Sequence, residues 1–385
     1  MTAEPEERGG DRERAQFGDE PAPPGKKPSL WKRVLMIALT VAIVVVVFFY
    51  VLPRFASYKS VFQAMSELSI WQLALLFAVA VFNLACAWTM NQASLPGMRN
   101  RQAAQLTLSQ NLISSTLPLG GAFSIGFGYT IIHSYGFGVS EYSLMLGVSG
   151  VWNSFAKMAL PVVALLLLVI TGNTTTGMVA LALIGVGFLI GAVAVFALIL
   201  WKRSFATRAG DLAGKVVSWL SRLFHRGPVT TWGEAVARFR DQTVSVTKSR
   251  WLVLTLVAVI YQVSTFLVFM LALRFSGVPA HGDHGITWVV AFGVFAFTRL
   301  ISAIPITPGA VGIAEASYTG LLVAAGGSKP EVVAGVLLFR ALTWLMPIVL
   351  GLPVYAEWWI TRQRKARRAG LPAGGVIESL AEEEA

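Results

Sequence analysis

Arg299-Leu-Ile-Ser-Ala-Ile-Pro305-Ile-Thr307-Pro308-Gly309-Ala-Val-Gly312-Ile-Ala-Glu315 sets an arginine, prolines, glycines and a glutamate inside a stretch otherwise apolar enough to lie in a bilayer. A charged side chain at membrane depth costs at least a few kcal/mol, so it faces a partner or a wet cavity. Proline and glycine interrupt the helix. The backbone groups they free are tolerated in hydrocarbon only where they are buried in protein or line such a cavity. The stretch therefore reads as a discontinuous helix at the wall of a polar site.

The chain around it is built for lipid. Of 385 residues, 55% are hydrophobic and 13% charged, against about 25% charged in a typical soluble domain, and the mean hydropathy is +0.65. This is the composition of an integral membrane protein. The net charge of +11 comes from residues between apolar spans, where it reports membrane orientation and not a nucleic-acid partner. Cys86 is the only cysteine, which excludes an intrachain disulfide and a cysteine metal cluster. It sits in an apolar run and reads as a packed side chain.

Residues 1–29, rich in Glu, Arg, Pro and Gly, read as a disordered cytoplasmic N-terminus. A transmembrane domain is expected over 30–361. Its first span, Val34–Leu52, lacks a small-residue cleavage site after it and reads as an uncleaved anchor. Further spans are expected at Ile70–Met90, Tyr142–Ile170 (kinked at Pro161), Met178–Trp201, Trp251–Phe275 and Val332–Trp358. Two stretches are too polar and too broken to be simple spans. Ala103–Tyr135 reads as two half-helices meeting at Pro118–Gly121, and Thr287–Ala325 contains the opening sequence. Residues 202–250 read as a basic cytoplasmic loop with an amphipathic helix around Trp219, Leu220, Leu223 and Phe224, and 362–385 as a cytoplasmic tail.

Basic residues gather before the first span, at Arg99 and Arg101, in 202–250, and after the last span. The positive-inside rule puts all four groups, and both termini, on the cytoplasmic side of the cell membrane. That holds only if each broken segment crosses an even number of times. Leu112-Ile113-Ser114-Ser115 before Pro118-Leu119-Gly120-Gly121 echoes Leu300-Ile301-Ser302-Ala303 before Thr307-Pro308-Gly309. Tyr129-Thr130 echoes Tyr318-Thr319, at an offset of about 188 to 189 residues. The fold class is thus an all-α polytopic membrane protein, with about six full spans plus two broken or re-entrant helical hairpins arranged as an inverted repeat. The first repeat covers about 70–170 and the second about 251–360. Such repeats place substrate sites at their interface.

Several side chains are candidates for a substrate site. Arg299 lies too deep to snorkel and matches phosphate oxygens bidentately; its plainer role is an ion pair with Glu315. Glu315 would pair with Arg299 or Arg340, receive a cationic head group, or take up a proton. Arg340, about 13 Å into the last span at 1.5 Å per residue, is a second anion contact or the partner of Glu315. Thr307, Gly309 and Gly312 would present a helix N-terminus with open N–H groups, an anion site. Pro118, Gly120 and Gly121 would do the same from the other leaflet. Lys157, Asn111 and Asn153 are polar in apolar surroundings and would line a cavity or bond between helices. His281, Asp283 and His284 make too sparse a ligand pattern for a metal, and no cofactor is expected. The sequence has no Gly-x-Ser-x-Gly, P-loop, His-Glu-x-x-His or nucleotide-binding fingerprint, so no enzyme activity is expected.

Thr307-Pro308-Gly309-Ala310-Val311-Gly312-Ile313-Ala314-Glu315, with Arg299 upstream and Leu338-Phe339-Arg340-Ala341-Leu342-Thr343 downstream, resembles the membrane region of the lysylphosphatidylglycerol synthase and flippase-like family. The pattern there is close to T-P-G-G-x-G-x-x-E, so Ala310 replaces a common second glycine. The resemblance covers roughly residues 30–360. It implies a relative of the part that translocates aminoacylated phospholipid in two-module members. Those members carry a soluble aminoacyltransferase domain after the membrane region. Only a short tail follows Trp359 here, so by that likeness synthase activity is expected to be absent.

The leading expectation is a flippase-like transporter of a phospholipid or lipid-linked anionic head group. In it Arg299, Arg340 and the half-helix ends hold phosphate, and Glu315 balances charge or meets a substrate amine. A membrane enzyme or accessory subunit in lipid-linked glycan or envelope synthesis is one alternative. A small-solute or ion-coupled transporter is another. The expected partners are membrane phospholipid or a lipid-linked substrate, with a homodimer or an envelope-synthesis partner left open.

Overall fold

The computed structural model describes residues 68–117, 120–171, 232–302 and 308–368, with parts of 186–198 and Ser204. The described residues are helical, with no strand among them. In chain order they form α1 (Ile70–Ser94), α2 (Asn100–Thr116), α3 (Gly120–His133), α4 (Val139–Ile170), α5 (Trp232–Phe275) and α6 (Trp288–Ile301). A 3-10 turn (Pro308–Ala310), α7 (Ile313–Ala324), α8 (Lys329–Arg340), a π turn (Ala341–Leu345) and α9 (Met346–Arg368) follow. The all-α expectation holds.

Among the described residues, four helical stretches are long and apolar enough to cross a membrane: Ile70–Ser94, Val139–Ile170, Ser249–Phe275 and Lys329–Arg364. They correspond to four of the expected spans. The expected span Val34–Leu52 lies outside the described residues, and Met178–Trp201 lies largely outside them, as do the 1–29 terminus and most of the tail. Large apolar side chains on these helices face outward. On α5 alone Leu252, Val253, Leu256, Val259, Ile260, Val263 and Leu267 are exposed. An apolar face this continuous needs an apolar solvent. Trp71, 81% exposed in the first turn of α1, stands where tryptophan anchors the end of a span at a membrane–water interface.

Several helices start by one device. The third helical residue is Gln or Glu and returns to the backbone N–H of the capping residue, satisfying a donor that the helix leaves orphaned. Gln72 accepts from the Ser69 N–H at 2.9 Å, Gln102 from Arg99 at 2.8 Å, and Glu141 from Gly138 at 2.7 Å.

Both broken segments are broken in the structure. α2 stops at Thr116 and α3 starts at Gly120. The turn is tight: a Cβ at Gly120 would lie 2.5 Å from the Ser114 carbonyl oxygen. α2 and α3 then pack against each other, and Tyr142 of α4 closes them. Its hydroxyl donates to the Ile125 carbonyl at 2.7 Å and receives the Gln110 amide at 3.0 Å.

One correction concerns 202–250. Residues 232–250 are not loop but helix, running without interruption into the span as α5. The charges of Arg238, Arg240, Lys248 and Arg250 suggested a loop, yet Lys and Arg are good helix formers. A helix carries them as easily as a loop does. The amphipathic helix expected around Trp219 lies outside the described residues.

The helices of the two expected repeats interleave. α1 packs along α5, α6 packs against α4, and α2 meets α9. Asn83 of α1 donates to Ser264 Oγ at 2.8 Å and to Thr265 Oγ1 at 2.7 Å, a buried polar latch onto α5. Gly293 brings α6 to Leu168 of α4, and a Cβ at Gly351 would come within 2.8 Å of the Leu108 carbonyl oxygen on α2. The main core lies among α5 to α8, where Phe269 packs on Phe295, Tyr318 and Phe339 at ring-centroid distances of 5.7, 4.8 and 5.1 Å. From Ala356 onward the helix belongs to a second unit of the chain. In it Arg362 lies 5.2 Å from the Trp358 ring centroid.

Candidate functional site

α6 ends just after Arg299, with Ser302 as its C-terminal cap. Residues 303–307 lie outside the described residues, so nothing is placed for Thr307; Pro118 in the other break is outside them too. The chain re-enters in a tight left-handed path: Gly309 has φ +59°, Ala310 +53° and Gly312 +85°. Glycine adopts this conformation freely. Ala310 is the one described non-glycine residue with positive φ, at a cost of about 1–2 kcal/mol.

The turn is held from inside. Glu315, only 3% exposed, stands in the first turn of α7. Its Oε2 accepts the Gly312 N–H at 2.7 Å, and its Oε1 accepts Arg340 Nε at 2.6 Å. Arg340 Nη2 donates to the Gly309 carbonyl at 2.8 Å. The Arg340 guanidinium also lies 5.7 Å from the Trp344 ring centroid. Trp344 closes over Gly309 so tightly that a Cβ there would come within 2.2 Å of its Nε1. Arg340 and Trp344 flank or lie in the π turn, a helical irregularity that recurs at functional sites.

This arrangement decides two open readings. Glu315 pairs with Arg340 and not with Arg299. The Gly312 N–H, read as an open donor for an anion, is already taken by Glu315.

Arg299 is placed differently. Its Nη2 donates to Gln262 Oε1 at 3.2 Å, and its guanidinium lies 5.9 Å from the Phe295 ring centroid. Its Nε has no hydrogen-bond partner among the described residues, and neither has the buried Gln262 Nε2. Lys157 of α4 stands within electrostatic range of Arg299, so two like charges share this side of the site. Arg299, Arg340 and Glu315 all act electrostatically on the buried Tyr318. Electrostatics thus tie Lys157 to Arg299, and tie Arg299, Glu315 and Arg340 each to Tyr318.

Of the remaining candidates, Gly120 serves the tight turn of the first break, and Gly121 would meet no atom within 4 Å if it carried a Cβ. Asn111 is half-buried on α2, the helix that packs against the Pro308–Ala310 turn. The first broken segment therefore reaches the second. Among the described residues no three His, Cys, Asp or Glu side chains are grouped to hold a metal, and His284 Nδ1 instead lies 3.2 Å from the Gly326 carbonyl oxygen. Sequence reasoning missed Gln262, Tyr318 and Trp344. A lone amide inside the apolar run Val259–Val263 was the available signal for Gln262; the two aromatics offered none.

The chain compares with known proteins as follows. The family model described as the lysylphosphatidylglycerol synthase TM region matches residues 35–351. No curated protein matches the chain. With the four membrane-length helices, the match makes this a multi-pass membrane protein and points to a role connected with membrane lipid.

Proposed function

The chain belongs to the lysylphosphatidylglycerol synthase TM region family, and from that premise we propose that it is a flippase-like transporter in the cell membrane. Its substrate is a phospholipid or lipid-linked molecule with an anionic head group. The observation that carries this reading is the surplus of positive charge at the helix break. Arg340 is matched by Glu315, while Arg299, within electrostatic range of Lys157, has only an amide and a ring as described contacts. Unbalanced cations beside an interrupted membrane helix call for an anion, and guanidinium is the side chain best matched to phosphate.

The interleaved packing supports an inverted repeat as the moving frame. α6 of the second half lies on α4 of the first, and α2 of the first lies on α9 of the second. A two-fold exchange of halves produces that reciprocity. Rocking of one half against the other, with both termini cytoplasmic, would carry the site from one leaflet to the other. The test is translocation of labelled phospholipid in proteoliposomes, comparing wild type with Arg299→Ala at matched insertion. A rate loss of tenfold or more is expected; equal rates remove Arg299 from the mechanism.

A further inference from the structure

The last membrane-length stretch runs out at Arg364, and α9 continues as helix to Arg368. Its final seven residues hold five basic side chains, Arg362, Arg364, Lys365, Arg367 and Arg368, and no acidic one. Glu357, the last carboxylate before them, lies seven residues from Arg364, about 10 Å along a helix rising 1.5 Å per residue. Cations steady the C-terminal end of a helix, but only through its last turn. That accounts for Lys365 to Arg368 and leaves Arg362 and Arg364 unexplained. Membrane orientation needs basic residues after the span; it does not need them set on a helix beside aromatic rings.

That setting is what α9 provides. Trp358 and Trp359 lie side by side where the apolar stretch ends, their ring centroids 6.4 Å apart. Arg362 lies 5.2 Å from the Trp358 centroid. Trp359, Ile360, Gln363 and Arg364 share one face of the helix and line a groove of about 240 Å³. Trp359 and Ile360 are 39% and 47% exposed. Arg364 is exposed, with neither ion pair nor hydrogen bond to a described residue. At about 30 Å³ per water, the groove has room for a lipid head group and not for acyl chains. Its apolar residues come first along the helix, toward the span, and its polar ones follow. A phospholipid has the same order of polarity around its glycerol backbone.

We infer that this end of α9 is a docking site for an acidic phospholipid of the leaflet into which the helix emerges. The phosphate meets Arg362 and Arg364, and the glycerol backbone and upper acyl carbons lie on Trp359 and Ile360. Basic clusters directly after a span bind acidic lipid, each Lys or Arg near the surface adding about fivefold. The occupant is a resident lipid, bound and not carried. The inference does not rest on the transporter reading, since none of these residues belongs to the helix break.

The experiment reads lipid composition at this spot. In full-length Cys86→Ala protein, Thr361→Cys carries a fluorophore; Cys86 is the only cysteine, and Thr361 is exposed and outside the groove lining. Nanodiscs of phosphatidylcholine receive increasing fractions of doxyl-labelled phosphatidylglycerol or doxyl-labelled phosphatidylcholine, at about 0.15 M salt. The acidic lipid is expected to reach half-quenching at about one third of the fraction that the zwitterionic lipid needs. Arg362→Gln/Arg364→Gln leaves the basic last turn in place and should bring the two lipids within about 1.5-fold of each other. Arg299→Ala should leave the ratio as it is. Equal quenching by both lipids overturns the inference, as does a preference that survives the double variant or is lost in Arg299→Ala. A preference that emerges only when residues 372–385 are removed, with Glu378, Glu382, Glu383 and Glu384, makes the acidic tail the occupant and overturns it too.

Discussion

Arg340 reaches 25 residues back along the chain to Glu315, Nε to Oε1 at 2.6 Å, and with the same guanidinium grips the Gly309 carbonyl at 2.8 Å. One side chain thus fixes both the start of α7 and the turn before it. Breaking a buried ion pair by removing one partner costs about 3–5 kcal/mol, because the other charge is left uncompensated. Glu315→Gln and Arg340→Leu should each lower the melting temperature of the detergent-solubilised protein sharply. The double variant Glu315→Gln/Arg340→Leu should lie closer to wild type than the sum of the single effects. Additive losses would mean the two side chains act independently.

Ala310 sits where the backbone is left-handed, at φ +53°. Glycine would relieve about 1–2 kcal/mol of that strain and return roughly 0.5–1 kcal/mol through the greater freedom of the unfolded chain. Ala310→Gly is therefore expected to be neutral or to stabilise by about 1 kcal/mol. Gly309→Ala runs the other way, since it adds both the strain and a contact 2.2 Å from Trp344 Nε1. In a Trp344→Ala background the contact disappears, so the thermal shift caused by Gly309→Ala should shrink without vanishing. An unchanged shift would show that Trp344 does not close over the turn.

The breaks in the helices were legible because their cause is local. Proline and glycine act on their own turn, so Pro118–Gly121 and Pro305–Gly312 could be read without knowing any neighbour. The spans were legible because hydropathy sums over many residues. Which arginine meets Glu315 was not legible, because Arg299 and Arg340 lie 16 and 25 residues away along the sequence and only packing chooses between them. The π turn at Ala341–Leu345 contains neither proline nor glycine and left no trace. The helical stretch 232–250 was missed because its charges fit a solvated helix as well as a loop. Asn83 passed unnoticed because one amide in an apolar helix has no pattern around it.

Asn83 binds α1 to α5 through Ser264, Thr265 and the Tyr261 carbonyl. Its removal should nevertheless be tolerated. Ser264 and Thr265 already donate to the Tyr261 carbonyl at 2.9 and 2.7 Å, so they are not left bare. Interhelical hydrogen bonds in membranes average about 0.6 kcal/mol and reach about 1.7. Asn83→Leu is expected to cost about 1 kcal/mol in thermal or chemical unfolding of the purified protein. A loss above 3 kcal/mol would show that the latch carries more than its own bonds.

Lys157 and Arg299 repel each other in the absence of a ligand, which separates stability from function at this site. Residues kept for binding commonly cost stability in the empty protein. Neutralising the lysine removes the repulsion, so Lys157→Gln should leave the apo protein as stable as wild type or raise its melting temperature by about 1 °C, the shift that about 1 kcal/mol produces when the unfolding entropy is roughly 2.1 cal/mol/K per residue over 385 residues. Translocation of an acidic phospholipid should fall at least tenfold in the same variant. The stabilising effect of added acidic lipid on the melting temperature should shrink with it, since a ligand stabilises only the state it binds. A lysine that merely packs against its neighbours would give the reverse result, with lower stability and an unchanged response to lipid. Measuring melting temperature with and without phosphatidylglycerol, on wild type and on Lys157→Gln, separates the two in one titration.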